Sequence, residues 1–411
     1  MVNFTDLPIK TDIIVIGAGV AGAAIAGELQ RQGKKVCVFE QHGQAAQETS
    51  ANQMALAHPQ LGTKISKLQR FTRCANAIAR TQWAFAQSAS SAFEPRFGIE
   101  IQEQAALQRH VCEMGFDDSS IQVLSKEQAK KQANIDAPGL LYTSAAIYSL
   151  PQICAQELQG IKTFWHMRVS KIKKDHDDWL VLDERDGIVG IAKAIVFANG
   201  LGVTPLLKTI NCALVLRPVR GQISTFSIQH GSPLLPFLPS MPLRGVGYCA
   251  PIKRVSIDNW TWSVGSSFDE DVPEQAETLD AHRENAIRGL DMVGCDHSLI
   301  GELEVFQAYV GIRSASKDRL PLIGPIPAHP GLFCATAYGS RGVLWSALGK
   351  KLINAYLEAF FAGADRLRAG FLAGTSVADS AELVSSVTPA RFFAGALATR
   401  ASNSKPIFPV S

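Results

Sequence analysis

IIVIGAGVAGAAIAGELQRQGKKVCVFE, residues Ile13 to Glu40, is the stretch on which the fold turns. Ile13 to Ile16 is wholly apolar, as a strand buried on both faces of a parallel sheet must be. It runs into Gly17-Ala18-Gly19-Val20-Ala21-Gly22, and small residues then open a helix. A second apolar strand, Lys35 to Phe39, ends at Glu40. Gly17 permits the tight turn, Gly19 lets a pyrophosphate approach the backbone, and Gly22 lets helix and strand pack closely. The helix N-terminus offers N–H groups and positive dipole to phosphates. Glu40 stands where a carboxylate accepts hydrogen bonds from ribose hydroxyls, the alternative being a solvated strand-end acid. Glycines alone would be weak evidence, but strand, glycines, helix, strand and acid in this order predict a dinucleotide site. Because an acid at that position repels a 2′-phosphate, NAD or FAD fits better than NADP.

The chain beyond Glu40 separates those two cofactors. An NAD dehydrogenase continues with alternating strands and helices, whereas here Glu40 leads into the polar stretch QHGQAAQETSANQMALAHPQ. A helical region over about Lys64 to Ser88 comes next. A strand at Ala194 to Phe197 stops at Ala198-Asn199-Gly200, a return of the chain toward the cofactor. From Val215 to about Val310 the pattern is β-rich, with a hairpin formed by Gly247 to Pro251, a turn at Asp258-Asn259 and Trp260 to Ser267. Asp271 to Met292 reads as an acidic-capped helix. Leu332 to Ala335 reads as a strand leading through Tyr338-Gly339-Ser340-Arg341-Gly342 into a helix ending near Phe361. The expected fold class is α/β: a discontinuous Rossmann-type FAD domain (1–90, 149–214 and 311–375) and a β-rich α+β substrate domain (91–148 and 215–310). Residues 376–411 form a C-terminal tail. The Ala/Ser-rich run from Ala362 to Ser386 is expected to be loosely packed and the last ten residues disordered.

Bulk composition is compatible with this. The 411 residues allow two domains, and 46% hydrophobic with 19% charged residues is globular rather than disordered. A net charge of +3 is permissive of nucleic-acid binding without indicating it. Eight scattered cysteines, none in a CxxC pair, argue against a disulfide framework or zinc site and for buried thiols in a reducing cytoplasm. No metal-ligand spacing is present. The uncharged run Ile13 to Gly27 is too short and glycine-rich to span a membrane, and it lacks the basic region and cleavage site of a signal peptide.

With these pieces in place, the chain resembles the D-amino-acid-oxidase-like FAD oxidoreductases and, within them, the oxidoreductase domain of the bifunctional MnmC enzymes that modify wobble uridine in tRNA. The resemblance rests on the glycine run with Glu40, on Ser50-Ala51-Asn52-Gln53 leading to Pro59, and on Val219-Arg220-Gly221-Gln222. It extends to Gly247-Tyr248, Val264 to Phe268, Arg313 to Pro325, Gly339 to Gly342 and Thr388-Pro389-Ala390-Arg391-Phe392. The family usually carries glycine where Ala51 and Ala55 stand. The resemblance implies FAD as cofactor, held by Gly17 to Gly22, Glu40, Ser50, Asn52, Gln53, Asn199, Gly200 and Gly339 to Gly342. It implies removal of the carboxymethyl group of 5-carboxymethylaminomethyl-(2-thio)uridine, in effect a glycine tethered to a base, leaving the aminomethyl base and glyoxylate. Arg313 matches the arginine that grips substrate carboxylate in related glycine oxidases, with a structural ion pair as the alternative. Tyr248 would add a hydroxyl to the same carboxylate, or be interface packing. The Gly339 to Gly342 turn would face the flavin, or be a simple helix cap.

His58 is read as a core or surface imidazole rather than a base. Lys64, Lys67, Arg70 and Arg73, spaced along one helix face, are a solvated face by default and a tRNA phosphate contact in the minority reading. The methyltransferase part of MnmC is missing from the sequence, so the expectation is a stand-alone cytoplasmic oxidoreductase whose methyltransfer partner is a separate protein, or absent. An oxidase or dehydrogenase of a free amino acid (glycine, sarcosine or a D-amino acid) is the competing reading, and a flavin-binding scaffold without turnover a third.

Overall fold

The computed structural model describes residues 7–98, 101–364 and 383–392. The chain divides into two compact units. One comprises Met1–Ala51, Leu150–Pro218 and Arg313–Ser411; the other comprises Asn52–Ser149 and Val219–Ile312. Residues 52–90, grouped with the nucleotide domain in the sequence reading, fall in the second unit.

The first unit is built on an eight-stranded sheet. Strand β1 (Ile9–Ile16) lies at its centre, parallel to β2 (Val36–Phe39) on one side and to Ile188–Phe197 on the other. Lys162–Phe164 extends the parallel set beyond β2, and Leu332–Thr336 pairs parallel with the end of Ile188–Phe197. The last four residues of β1 are fully buried, which explains why they are uninterruptedly apolar. Helix α1 (Val20–Arg31) connects β1 to β2, and helix Gly342–Phe361 follows the strand Leu332–Thr336. Ile14, Phe39, Phe164, Trp179, Phe197, Leu206 and Leu332 belong to one buried cluster on this sheet.

The second unit contains a ten-stranded sheet. Its long strand Arg217–Gln229 pairs antiparallel with Asn259–Gly265, which pairs in turn with Tyr248–Cys249. Leu243–Arg244, Ala92–Pro95, Gly139–Tyr142 and Gln122–Leu124 continue the sheet. Phe93, Leu243, Cys249, Trp262 and Val264 point to one face and share a core with Ala286 and Leu290 of the helix Leu279–Val293. Alternation along strands therefore sends Tyr248 and Arg244 to the other face.

Several element boundaries differ from the sequence reading. The helix expected over Lys64 to Ser88 runs only from Lys67 to Gln82, because Ser66 caps it by accepting a hydrogen bond from Gln69 N–H and Trp83 ends it. The helix expected from Asp271 begins at Leu279, where Thr278 accepts from Ala281 N–H. Upstream, Pro273 and a left-handed Asp271 keep the chain non-helical. The tail is not uniformly loose: residues 383–387 are helical, with Leu383, Val384 and Val387 buried. The last ten residues lie outside the described part of the chain.

Candidate functional site

The turn after β1 is shaped by backbone contacts that leave no room for side chains. Gly17 has φ +104°, and a Cβ there would lie 2.8 Å from the Ala198 carbonyl oxygen. A Cβ on Gly22 would stand 1.9 Å from the Gly17 carbonyl oxygen, so α1 and the turn touch backbone to backbone. Helix α1 starts at Val20 with Gly19 as a cap that offers no side chain. Ser50, from the short turn Thr49–Ala51, supplies the missing oxygen by accepting from Val20 N–H at 2.9 Å.

Glu40 is 8% exposed, which removes the solvated strand-end alternative. One carboxylate oxygen accepts from Ala18 N–H at 2.7 Å and the other from His42 N–H at 2.9 Å. Each oxygen keeps a further lone pair for a hydroxyl donor. The acid thus ties the end of β2 to the glycine turn and remains able to bind ribose.

The strand Ile188–Phe197 delivers Asn199 to the same end of the sheet, since Ala198 N–H donates to Ile16 carbonyl at 2.9 Å. Asn199 Oδ1 is buried and has no hydrogen-bond partner in the structure. A buried acceptor left unpaired costs about 1–3 kcal/mol, so this one is suited to a ligand donor. Next to it, Gly200 is left-handed and its carbonyl accepts from Thr336 Oγ1 at 2.9 Å.

The Gly339 to Gly342 turn is stitched to the residue after Arg313. Gly339 N–H donates to the Ser314 carbonyl at 3.0 Å and Ala337 N–H to Ser314 Oγ at 3.2 Å. Arg341, at the cap position of helix Gly342–Phe361, makes no side-chain capping bond. Ser314 was not singled out in the sequence; its adjacency to Arg313 was the only signal. Arg313 opens the last segment of the first unit, and Tyr248 belongs to the second.

Within the second unit, Tyr248 pairs with Arg244 and Gly265 across the sheet, and Asn52 Nδ2 lies 3.5 Å from its hydroxyl. Asn52 Oδ1 accepts from Met54 N–H at 2.8 Å, and Gln53 Oε1 accepts from Ser149 Oγ at 2.7 Å. These bonds shape the loop that opens the unit. The Tyr248 face also carries a group that sequence reasoning missed. Arg244 and Arg96 both pair with Glu94, to which Tyr142 Oη donates at 3.0 Å, and Arg244 lies 4.5 Å over the Tyr142 ring. Glu94 and Arg96 lie at the end of one strand, but Tyr142 and Arg244 come from two others, so no local motif joins the group. His58 bonds the Pro59 carbonyl through Nδ1 and packs edge-on to Tyr142, as a structural imidazole does. Lys64 precedes the helix and so does not share its face, while Arg73 donates to the Gly115 carbonyl at 2.8 Å.

No group of His, Cys, Asp or Glu suited to a metal occurs among the described residues. All eight cysteines are free. Burial pushes the thiols of Cys37 and Cys249 up to about 12, which keeps them protonated and unreactive. Among the described residues no helix is long and apolar enough to cross a membrane.

A glycine turn closed by backbone contact, a buried ribose-type acid, a helix start on glycine and an orphaned amide oxygen together fit a flavin dinucleotide. Residues 12–355 match the DAO family, FAD dependent oxidoreductase, and the chain belongs to it. It is an FAD-dependent oxidoreductase. Among curated proteins it is similar to the tRNA 5-methylaminomethyl-2-thiouridine biosynthesis bifunctional protein MnmC of Ralstonia nicotianae, with 28% identity over 93% of this chain. The MnmC protein of Burkholderia ambifaria is also 28% identical, over 96% of this chain. The chain spans 60% and 62% of the length of these two relatives. Among solved structures, glycine oxidase from Geobacillus kaustophilus has a TM-score of 0.68 at 20% identity, covering 85% of this chain and 95% of that one. L-proline dehydrogenase from P. horikoshii has the same TM-score at 15% identity, covering 95% and 99%.

Bound FAD supplies the two-electron oxidation, and the protein supplies binding, orientation and electrostatics.

Proposed function

We propose that this protein removes the carboxymethyl group of 5-carboxymethylaminomethyl-(2-thio)uridine at the tRNA wobble position. The glycine-like α-carbon loses a hydride, and hydrolysis of the resulting imine releases glyoxylate and the 5-aminomethyl base. Arg313 grips the substrate carboxylate with a planar, two-point guanidinium fork, and Tyr248 adds a hydroxyl to the same group. The Gly17 to Gly22 turn, Glu40, Ser50, Asn52, Gln53, Asn199, Gly200 and the Gly339 to Gly342 turn hold the cofactor. With no acid or base obligatory, the protein's task is to hold the α-carbon at about 3–3.5 Å from the accepting atom.

The observation that carries this reading is the pair of hydrogen bonds that Ala337 N–H and Gly339 N–H donate to Ser314. It fixes the backbone beside Arg313 to the start of helix Gly342–Phe361, the condition for a carboxylate hook of defined reach. The similarity to MnmC proteins along almost the whole chain supports the tRNA-borne glycine as substrate. The reaction belongs in the cytosol, where the tRNA is, and a separate methyltransferase would use the aminomethyl product.

The test is to incubate the purified holoprotein with carboxymethylaminomethyl-modified tRNA and analyse the nucleosides. The aminomethyl nucleoside and glyoxylate are expected in equal amounts, and Arg313→Ala should abolish both while leaving FAD bound. Turnover of free glycine or sarcosine with no change in the tRNA would replace this reading with the free-amino-acid one.

A further inference from the structure

The segment Thr388–Phe392 is part of the described structure although it lies close to the C-terminus, and it docks on the chain just beyond Arg313. The Arg391 guanidinium spends most of its donors on that one turn. Its Nε donates to Asp318 Oδ2 at 2.7 Å, and one terminal nitrogen lies 3.1 Å from Asp318 Oδ1. The same nitrogen lies 2.9 Å from the Leu320 carbonyl and 3.0 Å from the Pro321 carbonyl. The other terminal nitrogen donates to the Thr388 carbonyl at 3.0 Å, closing the tail on itself. Phe392 covers the guanidinium at 4.7 Å and packs against the core of the first unit. The Arg391 side chain is only 16% exposed.

The turn it grips needs holding. Arg319 is left-handed at φ +59°, a conformation that costs a non-glycine residue energy. Within the turn, Asp318 Oδ1 also accepts from Leu320 N–H at 3.0 Å and from Ser316 Oγ at 2.8 Å. On the near side, Ser314 is bonded to the Ala337–Gly339 turn. Arg313 thus stands immediately before a stretch anchored at both ends, by Ser314 and by the Asp318 turn.

We propose that Arg391 is a positioning residue. Through Asp318 and the Leu320 and Pro321 carbonyls, the C-terminal clasp sets the course of the chain leaving strand Glu304–Ala315, and so the aim of Arg313 at a substrate carboxylate. The proposal rests on the reading of Arg313 as the carboxylate hook. A lysine at position 391 keeps the charge but cannot reach Asp318 and two carbonyls in one plane, so it restores little.

The experiment titrates holoprotein with methoxyacetate, the ether analogue of sarcosine, and follows the flavin absorbance. Methoxyacetamide, which lacks the carboxylate, serves as control. Arg391→Ala is expected to weaken methoxyacetate binding about tenfold, or ~1.4 kcal/mol, with FAD content and methoxyacetamide binding unchanged. In turnover, KM should rise by a similar factor while kcat stays nearly constant. Arg391→Lys should recover less than half of the loss in log Kd.

Methoxyacetate binding unchanged in Arg391→Ala, with Arg313→Ala abolishing it, overturns the clasp and leaves the hook reading intact. Binding unchanged in Arg313→Ala overturns the hook reading, and the clasp's role with it. If Arg391→Ala loses its flavin, Asp318→Asn decides. It keeps the Leu320 and Pro321 carbonyls as partners of Arg391 and replaces the charged partner by a neutral amide. About a threefold weakening, the half-decade expected for a partial loss of the grip, supports the proposal, and no change overturns it.

Discussion

Gly22 is where backbone sterics meet the proposed cofactor site. A methyl group there would sit 1.9 Å from the Gly17 carbonyl oxygen, and neither partner is a flexible side chain. Gly22→Ala must therefore shift α1 or the turn, at a cost of roughly 1–3 kcal/mol. The purified variant should contain no FAD and melt at lower temperature, as absorbance and thermal unfolding would show. Glu40→Gln is milder in shape but replaces a charged acceptor of two backbone N–H groups by an amide whose nitrogen faces one of them. Charge-assisted hydrogen bonds are worth about 1.5–3 kcal/mol. FAD affinity of the apoprotein should fall by a factor of about 10–100, measured by fluorescence titration.

Helices α1, Leu150–Glu157 and Gly342–Phe361 are joined by a chain of ion pairs in the first unit, buried at Lys350, Glu157 and Glu28. Lys350 Nζ lies 2.8 Å from Glu157 Oε1, and Arg31 lies 2.8 Å from the other Glu157 oxygen. Lys351 Nζ lies 2.6 Å from Glu28, which Arg31 also approaches at 3.3 Å. Lys350 and Glu157 are 1% and 5% exposed, so neither charge is left to water. Removing one partner of a buried pair typically costs about 3–5 kcal/mol, because the other charge stays behind unpaired. Lys350→Met should destabilise by about 3 kcal/mol, the lower end since Arg31 remains, as read from the denaturant midpoint. Adding Glu157→Gln should recover part of that loss, which a mere packing defect would not allow. Helices α1 and Gly342–Phe361 follow the glycine turn and the Gly339 to Gly342 turn, so the ion pairs also hold these two turns in register.

Over the whole protein, stability and substrate affinity respond to different solution variables. Burial pushes the Glu28 carboxyl up, but Lys351, Lys350 and Arg31 outweigh it and hold the group below the usual carboxylate range. A carboxyl depressed in the folded state contributes stability above its unfolded value of about 4.3, and that contribution is lost as pH falls through the folded value. Thermal stability should accordingly decline below about pH 5, and less steeply in Glu28→Gln. Salt should act on the substrate instead. For a tRNA held through two phosphates, affinity would fall about tenfold between ~50 and ~200 mM salt, so KM for modified tRNA should rise while methoxyacetate binding barely changes. Equal salt sensitivity of the two ligands would count against a polynucleotide substrate.

The nucleotide half of the fold was legible in residues 13 to 40 because its determinants are local. A buried strand must be apolar on both faces, a backbone contact must be glycine, and an acid must end the second strand. The sequence therefore determined the dinucleotide class, and the long helix after Gly342 with it. It could not reveal that residues 52–90 belong with the second unit, because that depends on Ala55–Ala57 pairing with Ala146–Tyr148, far along the chain. Nor could it reveal what Glu40 and Ser50 bond, or that Arg96, Arg244, Glu94 and Tyr142 gather on the Tyr248 face. The tail shows the difference most plainly. Its Ala/Ser-rich approach reads as loose packing, and Thr388 to Phe392 as a block shared with related oxidoreductases, with no partner legible for its arginine. Only when the chain returns to the Asp318 turn do a carboxylate and two carbonyls converge on Arg391. Hydrogen-bond geometry of that kind is set by the path of the whole chain, and no local pattern encodes it.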